Sequence, residues 1–179
     1  MDINTLVKIT SRAWSLKILA LMHSGVPGRQ APLLSAAKAS RTAFVASLYH
    51  LVDLGHLERN PGHGHPLRPE FRLTPKGIEW ARIAAEIIDA VPAPAEGLIL
   101  RKSWSVPVLA VTRSPRHFIE IKSELQSVTD RALSQSLNLL HGQNWLEREV
   151  DITSRPPRPI YQATNIGSQI SQVIGLGSV

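Results

Sequence analysis

Between residues 129 and 141 the chain reads TDRALSQSLNLLH, and one helical face of it carries Arg131, Ser134, Gln135 and Asn138 at i, i+3, i+4 and i+7. All four side chains donate to or accept from base edges, and Gln and Asn pair bidentately with adenine. Leu133, Leu137 and Leu140, spaced i, i+4 and i+7, form the stripe that buries the opposite side. Thr129 is placed to cap this helix, and Asp130 suits the positive end of its dipole. A poorer version occurs earlier. There Ser40 is the expected cap, Phe44, Leu48 and Leu51 the stripe, and Arg41, Thr42, Val45, Tyr49 and His50 the outward set, with Ser47 at the boundary. The less polar set predicts more backbone contact and less base reading.

Each of these helices is followed by a basic, proline-rich stretch. His63, His65, Arg68 and Arg72, with Arg59 at the base, form the first; Arg155 and Arg158, with Arg148 at the base, form the second. Cationic loops of this kind suit phosphates or the minor groove, where they position a protein without specifying sequence. Prolines stiffen the second loop and lower its ordering cost. Arg113 and Arg116 are further phosphate candidates, and Arg29 is their rough counterpart.

Other chemistry finds little support. His63 and His65, with His56 upstream, lack a carboxylate at helical spacing, so no metal site is expected. Neither a nucleophile elbow nor a glycine-rich phosphate loop precedes a helix, so neither catalysis nor a cofactor is expected.

Bulk composition agrees with a polyanion partner. The 179 residues carry 20 basic and 14 acidic side chains, a net charge of +6. This divides as +4 over residues 1–90 (11 minus 7) and +2 over 91–179 (9 minus 7), so neither half is acidic. With no cysteine, disulfides and thiolate zinc sites are excluded. No secretory pattern and no run of about 18 apolar residues is seen, so a cytoplasmic location without membrane contact is expected.

The positioning elements occur twice. RAWSLKILAL (12–21) returns as KSWSVPVLAV (102–111), HLVDLGHLER (50–59) as LLHGQNWLER (139–148), and FRLTPKG (71–77) as YQATNIG (161–167), at shifts of 90, 89 and 90. Three matches in one order at a near-constant shift imply duplication. Each copy predicts a helix carrying the Trp-Ser phrase, a short second helix (APLLSAAK or RHFIEIKSELQ), the capped third helix, two strands around an exposed loop, and a last helix near Thr-x-x-Gly. The strands are expected at HLER and EFRLT in the first copy, and at WLER and IYQAT in the second. Ile78, Ala81, Ile83, Ile87 and Ile88 would give the last helix of the first copy its apolar flank, and the helix stops at VPAPAEG (91–97). Trp14, Trp104, Trp80 and Trp145 are expected in the cores. The fold class is mainly α with small β-hairpins: two tandem winged helix-turn-helix domains, 1–92 and 98–179, joined by the linker 93–97.

The phrase W-S-x-x-x-L-A, the L-E-R closing the third helix, and the wing endings HGHPLRPEFRLTPKG and SRPPRPIYQATNIG resemble the HxlR-type branch of the MarR-like winged helix-turn-helix transcription regulators. The resemblance implies double-stranded DNA as partner, third helices in major grooves and basic wings on the backbone. Such regulators are usually single-domain chains that pair, and many carry a cysteine ahead of the tryptophan phrase. Two modules without cysteine exclude thiol sensing and leave two arrangements: a homodimer, or a monomer whose modules imitate a two-fold dimer with third helices about 34 Å apart. The competing reading is a winged-helix protein-interaction module without specific DNA binding, for which Val45 and Tyr49 are the natural anchors.

Overall fold

The computed structural model describes residues 2–60, 69–92 and 96–175. Its helices and strands run, in chain order, α1 (Ile3–Thr10), α2 (Ser15–His23), α3 (Gln30–Ala37), α4 (Arg41–Asp53), β1 (Leu57–Asn60), β2 (Glu70–Leu73), α5 (Pro75–Asp89), a 3-10 turn (Glu96–Arg101), α6 (Ser105–Val111), β3 (Arg116–His117), α7 (Phe118–Leu125), α8 (Asp130–Gly142), β4 (Leu146–Asp151), β5 (Arg158–Ala163) and α9 (Asn165–Gly175). The class is mixed α and β with small antiparallel sheets, as expected. Arg12–Asp89 form one compact unit; Met1–Ser11 and Ala90–Val179 form another.

In the unit 12–89, α2 packs along α5 and against α3 and α4. The expected stripe of α4 is fully buried at Phe44, Leu48 and Leu51. Ser47, placed at the boundary by periodicity, lies inside as well. Its hydroxyl accepts the Trp14 amide at 3.3 Å and donates to the Ala43 carbonyl at 2.9 Å, so a polar side chain is satisfied in the core. β1 and β2 pair antiparallel from Leu57↔Leu73 to Asn60↔Glu70, and Arg29 bridges to Glu70 at the other edge. Ile78 departs from its expected place, being 56% exposed. The buried line of α5 is Gly77, Trp80, Ala81, Ala84 and Ile87 with Ile83 beside it, which turns Ile78 outward. Gly77 fixes that orientation, because a Cβ there would stand 1.9 Å from the His56 carbonyl oxygen.

The second unit repeats this plan and adds to it. α6 packs against α7, α8 and α9, and the α8 stripe Leu133, Leu137 and Leu140 is buried. β4 and β5 pair from Leu146↔Ala163 to Asp151↔Arg158, and β3 joins the other side of β5 through Arg116↔Tyr161 and His117↔Ile160. α1 also belongs here, packed on α6 and α7 through buried Leu6, Ile9 and Thr10. Residues 1–11 therefore lie with the second unit, where the linear division 1–92 had not placed them. Burial of an apolar face, a long-range effect, decides the placement of so short a helix.

Some local backbone geometry recurs at positions that the sequence matches relate. Trp14 and Trp104 share a conformation (φ −104°, ψ −3° and φ −100°, ψ −7°) just ahead of buried Ser15 and Ser105. Gly55 and Asn144 both take positive φ where α4 and α8 turn into a strand. Lys38 and Gln126, where α3 and α7 end, share a positive φ but part in ψ, 41° against −60°. Thr74 donates its amide to the His56 carbonyl at 3.1 Å, and Thr164 donates its amide to the Trp145 carbonyl at 3.0 Å.

The two caps differ. Thr129 accepts the Ala132 amide at 3.2 Å, as expected, whereas Ser40 stands at the cap position without a side-chain hydrogen bond to the helix. Thr129→Ala should therefore lower stability by about 1 kcal/mol in urea denaturation, while Ser40→Ala should change it by less than about 0.5 kcal/mol.

Candidate nucleic-acid interface

α8 presents the expected face. Arg131, Ser134, Gln135 and Asn138 are all exposed, opposite the buried leucines. Asp130, at the helix start, is paired with Lys122 of α7 at 2.5 Å. The pair is exposed, so it adds little stability. It does compensate the carboxylate in the first turn of α8, which would otherwise oppose a phosphate there.

α4 is the plainer surface. Arg41, Thr42, Ala43 and Ala46 are exposed, whereas Val45 and His50, expected outward, are half-buried. Tyr49 is only 38% exposed: its ring meets Phe71 edge to face at 5.8 Å, and the Arg59 guanidinium lies 5.8 Å from its centroid. These contacts fasten the helix to its hairpin and occupy Tyr49, which removes much of its use as a docking anchor.

The hairpin β4–β5 projects. Leu146, Tyr161 and Ala163 anchor its inner end in the core, while Glu147, Arg148, Glu149 and Val150 are exposed in succession on both faces. Its tip is fixed by Asp151, whose carboxylate accepts the Thr153 amide at 2.9 Å, the Thr153 hydroxyl at 2.6 Å and the Ser154 hydroxyl at 2.5 Å. The Ser154 and Thr153 hydrogen bonds hold this carboxyl well below the usual carboxylate range. His117 approaches Asp151 at 3.4 Å through Nε2, and its Nδ1 lies 3.1 Å from the Pro159 carbonyl oxygen. Arg155 and Arg158 are exposed on the turn 152–157 and its exit.

The remaining candidates divide. Arg116 is half-buried in β3, with Nε shielded and unpartnered among the described residues. Strand pairing commits its backbone, so it is no freely moving phosphate arm. Arg113 is exposed, yet its guanidinium lies over Gly175, where a Cβ would meet Nη1 at 2.3 Å; the arginine covers the negative end of α9. Arg72 pairs with Glu70 at 3.1 Å. His63, His65 and Arg68 lie outside the described residues. Among those described, no three His, Asp or Glu side chains group to hold a metal ion, and no helix is long and apolar enough to cross a membrane.

Sequence reasoning missed the Asp151 clasp, the Lys122–Asp130 pair and the Arg59–Tyr49 stack. Only the first had a local signal: in DITS, an aspartate two residues before a threonine is an Asx-turn pattern.

Three helices, the third polar and cationic outside and leucine-lined inside, followed by a hairpin, make up a winged helix-turn-helix unit. In keeping with this, residues 99–176 match the HxlR-like helix-turn-helix family. Among solved structures, a protein described as a MarR-family transcriptional regulator from Porphyromonas gingivalis W83 is similar at 19% identity and a TM-score of 0.42, over 49% of this chain and 85% of that one. That likeness is too loose to define a shared fold. No curated protein matches the sequence significantly.

Proposed function

We propose that the chain is a sequence-specific DNA-binding transcription regulator made of two tandem winged helix-turn-helix units that arose by duplication. α8 and α4 enter major grooves, and the basic hairpins lie on the adjacent backbone. The observation that carries this reading is the division of α8 into a buried leucine side and an exposed side of Arg131, Ser134, Gln135 and Asn138, beside a hairpin whose residues 147–150 and turn arginine Arg155 are exposed. Duplication is supported by the matched backbone conformations at Trp14 and Trp104 and by the positive φ shared by Gly55 and Asn144.

The two reading helices divide the work. α8 offers four hydrogen-bonding side chains and selects sequence; α4 offers Arg41 and Thr42 beside two alanines and supplies affinity through phosphates. Arg131→Ala is expected to weaken binding to a selected duplex by about 1–3 kcal/mol and to relax preference at one base pair. Arg41→Ala should weaken all duplexes alike and lower the salt slope by about 1. Selection by the full chain from a random duplex library, followed by titration at two salt concentrations, checks both. Recovery of no duplex would reject the reading in favour of a protein-docking role.

A further inference from the structure

Resting on the DNA-binding reading, we propose that Ile152, at the tip of the C-terminal hairpin, is an apolar wedge for the minor groove and sets a preference for A·T pairs beside the major-groove site. Ile152 is 81% exposed, more than any other large hydrophobic residue described, and Val150 behind it is 53% exposed. A β-branched side chain held in water at the end of a hairpin gains by burial, and among the described residues of its own unit it stays 81% exposed.

The tip is built to present it. Asp151, the last ladder residue before the turn, ties down Thr153 and Ser154 immediately beyond Ile152. Pro156 and Pro157 restrict the return. The charge pattern selects the occupant. Arg155 and Arg158 are exposed at this turn, while its one carboxylate, on Asp151, has both oxygens engaged internally. Glu147 and Glu149 lie further back along β4. An apolar point flanked by two guanidinium groups complements a groove walled by deoxyribose hydrocarbon, edged by anionic phosphates and floored, at A·T pairs, by acceptor atoms that arginine can reach. Isoleucine and arginine together serve such contacts, and the narrow groove of A·T tracts strengthens the attraction for arginine. The exocyclic amine of guanine projects into that groove and would meet the Ile152 side chain without a hydrogen-bonding partner.

The test takes a duplex recovered by the wild-type full chain from a random library and varies the pairs flanking its core as A·T, inosine·C or G·C. Inosine·C presents the A·T minor groove together with a G·C-like major groove. Wild type should bind the A·T and inosine·C duplexes alike and the G·C duplex about tenfold more weakly. Ile152→Ser should lose about tenfold on the first two and nothing on the third, with an unchanged melting temperature. Equal binding of Ile152→Ser and wild type to all three, or an equal loss on all three, overturns the inference while leaving DNA binding intact. A wild-type preference that follows the thymine methyl, lost when deoxyuridine replaces thymidine, also overturns it by placing the contact in the major groove. Recovery of no duplex at all overturns the DNA-binding reading and this inference together.

Discussion

Gly167→Ala is expected to destabilise the C-terminal unit by about 3 kcal/mol, at the upper end for overpacking. The added Cβ would stand 1.9 Å from the Trp145 carbonyl oxygen, 2.8 Å from its carbon and 2.9 Å from Leu109 Cδ2. Two of these atoms are backbone, and that carbonyl also accepts the Thr164 amide. Neither side can yield without moving α9 off the start of β4. Gly142→Ala is the control: a Cβ there meets nothing within 4 Å, at the end of α8, so stability should hold or rise by up to about 1 kcal/mol. Urea denaturation of both variants checks the pair, and a Gly167→Ala protein as stable as wild type would contradict the docking of α9. Gly77→Ala should behave likewise in residues 12–89, where the His56 carbonyl oxygen stands at the same 1.9 Å.

That paired contact explains what the Thr-x-x-Gly phrase encodes. Thr74 donates its hydroxyl to the Gly55 carbonyl at 2.8 Å and accepts the Gly77 amide at 3.0 Å, so it caps α5 and ties it to the turn before β1. Thr74 serves as cap and tether; Gly77, like Gly167, permits the close approach. The two residue types and their spacing are local, which is why the phrase stood out in the sequence; the carbonyls they meet, of Gly55 and His56, are distant and did not.

Features that depend on distant partners were illegible by the same logic. The stripes Phe44, Leu48, Leu51 and Leu133, Leu137, Leu140 follow from helical period alone, and so does the exposed face of α8. α1 follows from nothing local: it is eight residues long and buries its face against α6 and α7, about a hundred residues on. β3 is two residues paired to a strand more than forty positions later, and propensity has no purchase on so short an element. Ile78 was misplaced because five apolar residues in α5 allow two neighbouring faces, and only the His56 carbonyl decides between them. Tyr49 was outward by period; its commitment to Phe71 and Arg59 depends on how the first hairpin folds back. Within the candidate interface, residue types were legible and their engagement was not. Arg113 and Arg116 read as free cations, while the fold commits one to the end of α9 and the other to a strand.

His56 gives the other large expected effect, an acid-sensitive N-terminal unit. The side chain is fully buried, neither ring nitrogen makes a well-formed hydrogen bond among the described residues, and Trp80 meets the ring edge to face at 6.1 Å. Burial pushes its pKa down to about 4; the charges of Lys76 and, more weakly, His50 act in the same direction, and the Lys76 backbone partly opposes them. The unfolded chain titrates near 6.5, so between these values it binds more protons than the folded unit. Stability is therefore full above about pH 6.5 and falls as pH drops towards 4, by up to about 3 kcal/mol for this one group. The loss should appear first where His56 is structural, since its carbonyl receives Thr74 at the junction of β1, β2 and α5. Hydrogen exchange at the Thr74 amide, followed from pH 7 to 4.5 and corrected for intrinsic rates, should show protection falling through this window. His56→Phe keeps an aromatic ring against Trp80 and removes the titrating group, so it should abolish this pH-dependent part of the loss. An equally steep loss in His56→Phe would assign the sensitivity to other groups.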